Sequence, residues 1–115
     1  MSVRGDDPIY MLTAPIAATR YALERAHMAI SDIDVFECNE AFSPIVLAWM
    51  SELHVPHSKV NVNGGAIALG HPLGMSGARI TGTAALELRE RGAKLALATM
   101  CIGVGQGIAI ALERV

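Results

Sequence analysis

The chain has 115 residues, 52% of them apolar and only 17% charged, with a formal net charge of −2. That length makes one domain, able to bury roughly 65% of its unfolded surface and so to hold a core of its own. The absence of a basic block and an aromatic content of 4% argue against a nucleic-acid surface, while charge below the usual level of about 25% leaves apolar surface for a partner.

In chain order, residues 1–7 carry no apolar signal core and read as a flexible lead. Thr13 is placed to cap a helix running to His27 or Met28. Pro15 falls in its first turn, and Ala18, Ala22 and Ala26 form a small-residue face that can lie close to a sheet. A turn at Ser31–Asp34 precedes a short strand, Val35–Cys38, which the chain leaves at Asn39. A second helix begins at about Glu40 or Ser43 and ends at Leu53. It tolerates Pro44 in its first turn and buries Ile45, Val46, Trp49 and Leu53. His54 and His57 fall in a solvated loop, and Lys59–Asn63 is a third extended segment leading into Gly64-Gly65.

A further helix starts near Met75 or Ser76 and runs to about Arg91. It turns Ile80, Ala84 and Leu88 inward and Glu87, Arg89, Glu90 and Arg91 outward, with Gly92 as its stop. Lys94–Cys101 and Gly107–Glu113 are two apolar strands joined by a glycine-bearing hairpin at Ile102–Gln106. Helices alternating with strands and then a hairpin imply a layered α/β domain with a mixed sheet.

Cys38 and Cys101 are the only thiols. They are too few and too widely spaced for a disulfide framework or a Cys-rich zinc site, so no metal is called for, and a reducing compartment such as the cytoplasm suits them. Cys38, on a buried strand, reads as an inert core thiol. No stretch reaches the roughly 18 uninterrupted apolar residues of a membrane span.

Ten of the eleven glycines lie between Gly64 and Gly107, which concentrates special backbone geometry in the second half. Within Gly64–Arg79 a single histidine, His71, sits among small residues, and Pro72 fixes its own φ and biases His71 away from the α region. The N-terminus of the next helix lies close by and favours a neutral imidazole or a nearby anion. Asn39, His71 and Cys101 all fall at or just past strand ends, the edge where sites in α/β sheets assemble. An imidazole can donate to a carbonyl oxygen, an amide can position a water, and a thiol with a reference pKa of about 8.5 can exchange protons. Gly103 leaves an unobstructed N–H for a developing oxyanion.

Three motifs occur in order: Asn39-Glu40-Ala41-Phe42, the run Gly64–Arg79 around His71, and Cys101-Ile102-Gly103-Val104-Gly105. With them the chain resembles the C-terminal domain of a thiolase, the acetyl-CoA acetyltransferase and 3-ketoacyl-CoA thiolase family, from about Pro8 to the end. Val104 stands where many members carry glycine. The resemblance implies a mixed five-stranded sheet with helices on both faces, and a single domain over residues 1–115 that is paired in the full enzyme with a similar N-terminal half.

It further implies that His71 and a water held by Asn39 bind the thioester oxygen of an acyl-CoA. Cys101 would act as acid and base, Gly103 N–H would serve a second oxyanion hole, and Gly70 and Phe42 would lie beside the substrate. Coenzyme A thioesters are then substrates, and no cofactor is implied. The family's acyl-accepting cysteine belongs to the N-terminal half, so the isolated chain is expected to be inactive. Its partners would be acyl-CoA, an N-terminal half or partner chain, and further copies in a homo-oligomer. Two other readings remain: a non-catalytic module that binds a thiolase-like partner chain, and the related ketoacyl synthases. The latter generally use a histidine where Asn39 stands and lack the thiol at Cys101.

Overall fold

Two long apolar strands, β3 (Leu95–Ile102) and β4 (Gln106–Glu113), pair antiparallel and form the hairpin on which the other elements are laid. The computed structural model describes all residues, 1–115. β1 (Ser2–Gly5) adds antiparallel to β4, and β2 (Val35–Cys38) adds parallel to β3 with Cys38 opposite Thr99, giving the order β1-β4-β3-β2. The sheet is mixed, as the alternation of elements requires.

Two expectations change at its edges. Ser2–Gly5 is a paired edge strand rather than an unpaired lead, and Ser2 Oγ donates to Ala18 O at 2.5 Å. The sheet has four strands, not five. The segment Lys59–Asn63 contributes a single parallel bridge, Val60 to Phe36, because a 3-10 turn at His57–Lys59 precedes it and Asn61 turns left-handed at φ 49° after it.

Helix α1 (Ala14–Ala26) covers one face, lying against β4, β1 and β3 with Ala18 and Ala22 buried toward them. The approach is close enough that a Cβ on Gly107 would stand 2.5 Å from the backbone of Ala14 and Pro15. Thr13 does not cap this helix with its side chain; its hydroxyl donates to Asp6 Oδ2 at 2.7 Å instead. Helix α2 (Ser43–Leu53) has Pro44 in its first turn and sends Trp49 into the core. Trp49 meets Phe36 edge-on at 5.4 Å between ring centroids and donates its indole N–H to Thr19 Oγ1 at 3.0 Å. An indole buried with its one donor satisfied contributes area at no polar cost.

On the opposite face α4 (Ser76–Arg91) packs Ala84 and Leu88 against Val35 and Ala96. Glu87 departs from the outward set. It is buried, accepts from Asn63 Nδ2 at 2.6 Å and pairs with Arg91, so a carboxylate on the inner flank of α4 is satisfied locally. A short helix inside the glycine-rich run, α3 (Ala66–Leu69), is a further departure from a plain turn. Helices therefore lie on both faces, but α4 does not reach across β4. Met100, Ile108 and Ile110 are left half-exposed and line, with Met1 and Ile80, an apolar hollow of about 250 Å³.

The β3–β4 turn stores strain. Val104 adopts φ 64° and its side chain is 71% exposed, so a β-branched residue sits in the left-handed region with little packing in return. Val104→Gly is predicted to raise stability by roughly 1 kcal/mol, the order of the left-handed penalty less glycine's entropy cost. A urea titration in which the substitution lowered the midpoint would contradict that reading of the turn.

Candidate functional site

The site is assembled at the edge where the parallel strands β2 and β3 both end. Asn39 N–H donates to Thr99 O at 3.0 Å, which extends the ladder one residue beyond Cys38 and fixes the backbone of Asn39. Cys101 is two residues farther along β3 than Thr99, at the same edge. On the outer side of β2 there is no further strand, and the side chain of Asn61 takes its place. Its Oδ1 accepts from Cys38 N–H and its Nδ2 donates to Cys38 O, both at 2.9 Å.

The same Nδ2 donates to Glu40 Oε1 at 3.1 Å, and Glu40 Oε2 accepts from Ile67 N–H at 3.0 Å. Both contacts need an acceptor, which suits an ionised carboxylate. Gly65 leaves room for that carboxylate, since a Cβ there would overlap it. Glu40 thus ties the loop after β2 to the first turn of α3.

From α3 the chain turns at Gly70, φ 93°, whose carbonyl accepts from Arg79 Nη1 at 2.6 Å, and reaches His71. The imidazole is held from both sides. Nδ1 lies 2.6 Å from Ser76 Oγ, itself 3.2 Å from Pro72 O, and Nε2 lies 3.4 Å from Asn39 Nδ2. With the hydroxyl proton on Pro72 O, the consistent arrangement has Nδ1–H donating to Ser76 and Nε2 accepting from Asn39. Ser76 is fully buried at the start of α4, so the ring is fixed by a group that cannot swing away.

His71, Cys101, Gly103 and Phe42 line one apolar cavity of about 680 Å³, together with Leu73, Met100 and Ile102. Asn39 reaches it only through His71, and Gly70 stands behind the histidine rather than on the wall. Gly103 N–H takes no part in the backbone hydrogen bonding, and nothing stands where its Cβ would be. Burial pushes the Cys101 thiol above its ordinary range, so it carries its proton at neutral pH. Burial raises Cys38 much further, and it lies in the core cluster with Val46, Trp49 and Leu97, away from the cavity. No group of three or more His, Cys, Asp or Glu side chains could hold a metal ion, and no helix is long and apolar enough to cross a membrane.

A family model for the thiolase C-terminal domain matches residues 1–114. The chain belongs to the thiolase family. It is 52% identical to the steroid 3-ketoacyl-CoA thiolase of Mycobacterium tuberculosis over 99% of its own length and 28% of that protein's. It is 56% identical to the 3-oxoadipyl-CoA/3-oxo-5,6-dehydrosuberyl-CoA thiolase of Escherichia coli over 100% and 29%. The crystal structure of the Bacillus anthracis acetyl-CoA acetyltransferase superposes with a TM-score of 0.96 at 43% identity, covering 99% of this chain and 29% of that one. This thiolase C-terminal domain therefore spans less than a third of the relatives it matches.

Sequence reasoning named Asn39, His71, Cys101 and Gly103 but passed over Glu37, Asn61 and Ser76 and read no role into Glu40. Asn61 and Ser76 are ordinary residues in a loop and at a helix start. Glu37 sits between Phe36 and Cys38 on a strand buried along its whole length, which was the one available signal. Burial, reinforced by the Glu40 and Glu87 carboxylates and opposed by Arg79, pushes Glu37 up to about 7.

The unfolded chain releases this proton near the ordinary value of 4.5 and the folded chain near 7. Between those values the folded state binds more protons, so Glu37 makes stability fall as pH rises through the window. Urea midpoints measured between pH 4.5 and 7 should fall more steeply in the wild type than in Glu37→Gln; identical slopes in the two proteins would contradict the assignment.

Proposed function

We propose that this domain supplies the oxyanion-binding and proton-handling side of a thiolase active site, acting in thiolysis of a 3-ketoacyl-CoA or condensation of acetyl-CoA. The observation that carries this reading is convergence. An imidazole, a protonated thiol and an open glycine N–H share one apolar cavity, and an amide stands 3.4 Å from the imidazole.

The roles follow from the donor inventory. Nε2 of His71, resting as an acceptor, takes the proton of an incoming nucleophilic thiol. The imidazolium so formed then donates from Nε2 to the thioester oxygen, beside a water held by Asn39. Ser76 Oγ accepts from Nδ1 throughout and keeps the ring in register. In the thiolysis direction Cys101 gives its proton to the carbon released by C–C cleavage. Its thiolate then takes the proton of the coenzyme A thiol, which attacks the acyl group. Burial fits both halves of that exchange, because a thiol with a raised pKa holds its proton until a carbanion-like carbon forms and is a stronger base once it has lost it. Gly103 N–H would stabilise the second oxyanion, on the acyl carbonyl. Phe42, 63% exposed at the cavity, supplies apolar wall to the substrate.

The acyl-accepting cysteine would come from an N-terminal thiolase half, in the same polypeptide or a partner chain. Cys38, shut in the core, does not fit that part. The half-exposed strip of Met100 on β3 and Ile108 and Ile110 on β4 supports the reading that another part of the assembly covers this face. The test is an acetoacetyl-CoA thiolysis assay of the chain alone and mixed with an N-terminal thiolase half. No turnover is expected alone and turnover is expected in the mixture, falling roughly 10²–10⁴-fold in His71→Ala or Cys101→Ala. Turnover by the chain alone would contradict the absent nucleophile. Unchanged turnover in Cys101→Ala would remove its acid and base role.

A further inference from the structure

Two buried acceptors on one face of β2 lack a donor. Glu37 is 3% exposed and Asn39 1% exposed, and Oε1 of Glu37 and Oδ1 of Asn39 have no hydrogen-bond partner. Because Asn39 N–H continues the ladder to Thr99 O, residues 37 and 39 project to the same side of the strand, with Val35, toward α4. Their Cα atoms are then roughly 6.6 Å apart, a span that a glutamate leaning along the strand covers directly or with one water. While Glu37 is ionised and Asn39 keeps this orientation, the two oxygens cannot satisfy each other, since both only accept. A protonated carboxyl supplies the missing donor.

The surrounding charges favour that form. Arg79 and Glu87 face Glu37 from α4, and Glu40 faces it from the loop after β2. Arg79 spends a donor on Gly70 O, Glu87 is engaged by Asn63 and Arg91, and Glu40 by Asn61 and Ile67. One partly committed cation stands against two carboxylates.

We infer that Glu37 is a positioning residue of the site, whose protonated carboxyl donates to Asn39 Oδ1, directly or through one buried water, and so holds the amide with Nδ2 toward His71. Ionisation of Glu37 removes the donor and favours the opposite orientation, in which Nδ2 turns to the carboxylate and Oδ1 to the histidine. Glu37 touches no substrate; it acts through Asn39. The inference rests on the proposed function for its catalytic consequence, but its test reads Asn39 itself and needs no turnover, so either can fail without the other.

The experiment is a pH titration of the isotope-labelled full chain by NMR, following the Glu37 side-chain carbonyl carbon and the Asn39 side-chain amide. The two are expected to shift with one common midpoint, near 7. In Glu37→Gln, which always carries a donor, the Asn39 amide should stay at its low-pH position throughout. In Glu37→Met, which has none, it should differ from that position at every pH. An Asn39 amide that ignores the Glu37 transition, or that shifts equally in wild type and Glu37→Gln, overturns the inference. Should Glu37→Gln fail to fold, the wild-type titration and Glu37→Met decide it by the same criteria.

Discussion

The side chain of Asn61 holds the end of β2 in place, and the rest of the site hangs on that grip. β2 has only four residues and one flank without a full strand, because the neighbouring segment pairs through the single bridge from Val60 to Phe36. Asn61 N–H extends that bridge to Phe36 O at 2.9 Å, and its amide then makes both contacts a next strand residue would have made to Cys38. A side chain replaces a rung of the ladder, which frees the backbone of Asn61 to turn at φ 49° and carry the chain back across the end of β2. The glycine-rich run therefore begins beside the residues it must meet.

From that turn, small residues and single polar contacts do what extended pairing does elsewhere in the sheet. Gly65 admits the Glu40 carboxylate, Glu40 holds the first turn of α3, and Ser76 fixes the histidine ring from the start of α4. The two Glu40 contacts join the first sequence motif to the second, and the Ser76 contact braces the second from within. The third motif arrives differently, through the strained β3–β4 turn that sets Cys101 and Gly103 on the same cavity as His71. A hydrogen bond contributes about 0.5–1.5 kcal/mol, and one to a charged group such as Glu40 about 1.5–3 kcal/mol, enough to hold a loop but not to build a domain. The domain is held by the apolar layer of α1, α2 and the sheet around Trp49 and Phe36.

Most of the scaffold was legible because it follows from periodicity. α1, α2, α4, β3 and β4 fall within a residue or two of where apolar spacing, Pro15, Pro44 and Gly92 put them. The edges were not. Ser2–Gly5 carries no strand pattern of its own and pairs only because β4 offers an open edge, while Lys59–Asn63 alternates like a strand but is diverted by its turns. The candidate residues were legible from residue type and position, and Asn39, His71, Cys101 and Gly103 are indeed brought to one edge. Their supports were not, because Asn61, Ser76 and Glu37 gain meaning only from contacts 5 to 23 residues away or from burial, neither of which spacing records. Glu87 shows the same limit, a charge on the nominal wet face of α4 that Asn63 draws inward.

The most direct test of this account is the nuclear Overhauser contact between the Asn39 side-chain amide protons and the His71 ring in the wild type and in Asn61→Ala. The wild-type chain should show the contact, since Nδ2 and Nε2 are 3.4 Å apart. Asn61→Ala should keep the amide contacts between β2 and β3 while losing the one between Asn39 and His71. Retention of that contact at wild-type strength in Asn61→Ala would contradict the claim that one asparagine side chain sets the geometry of the site.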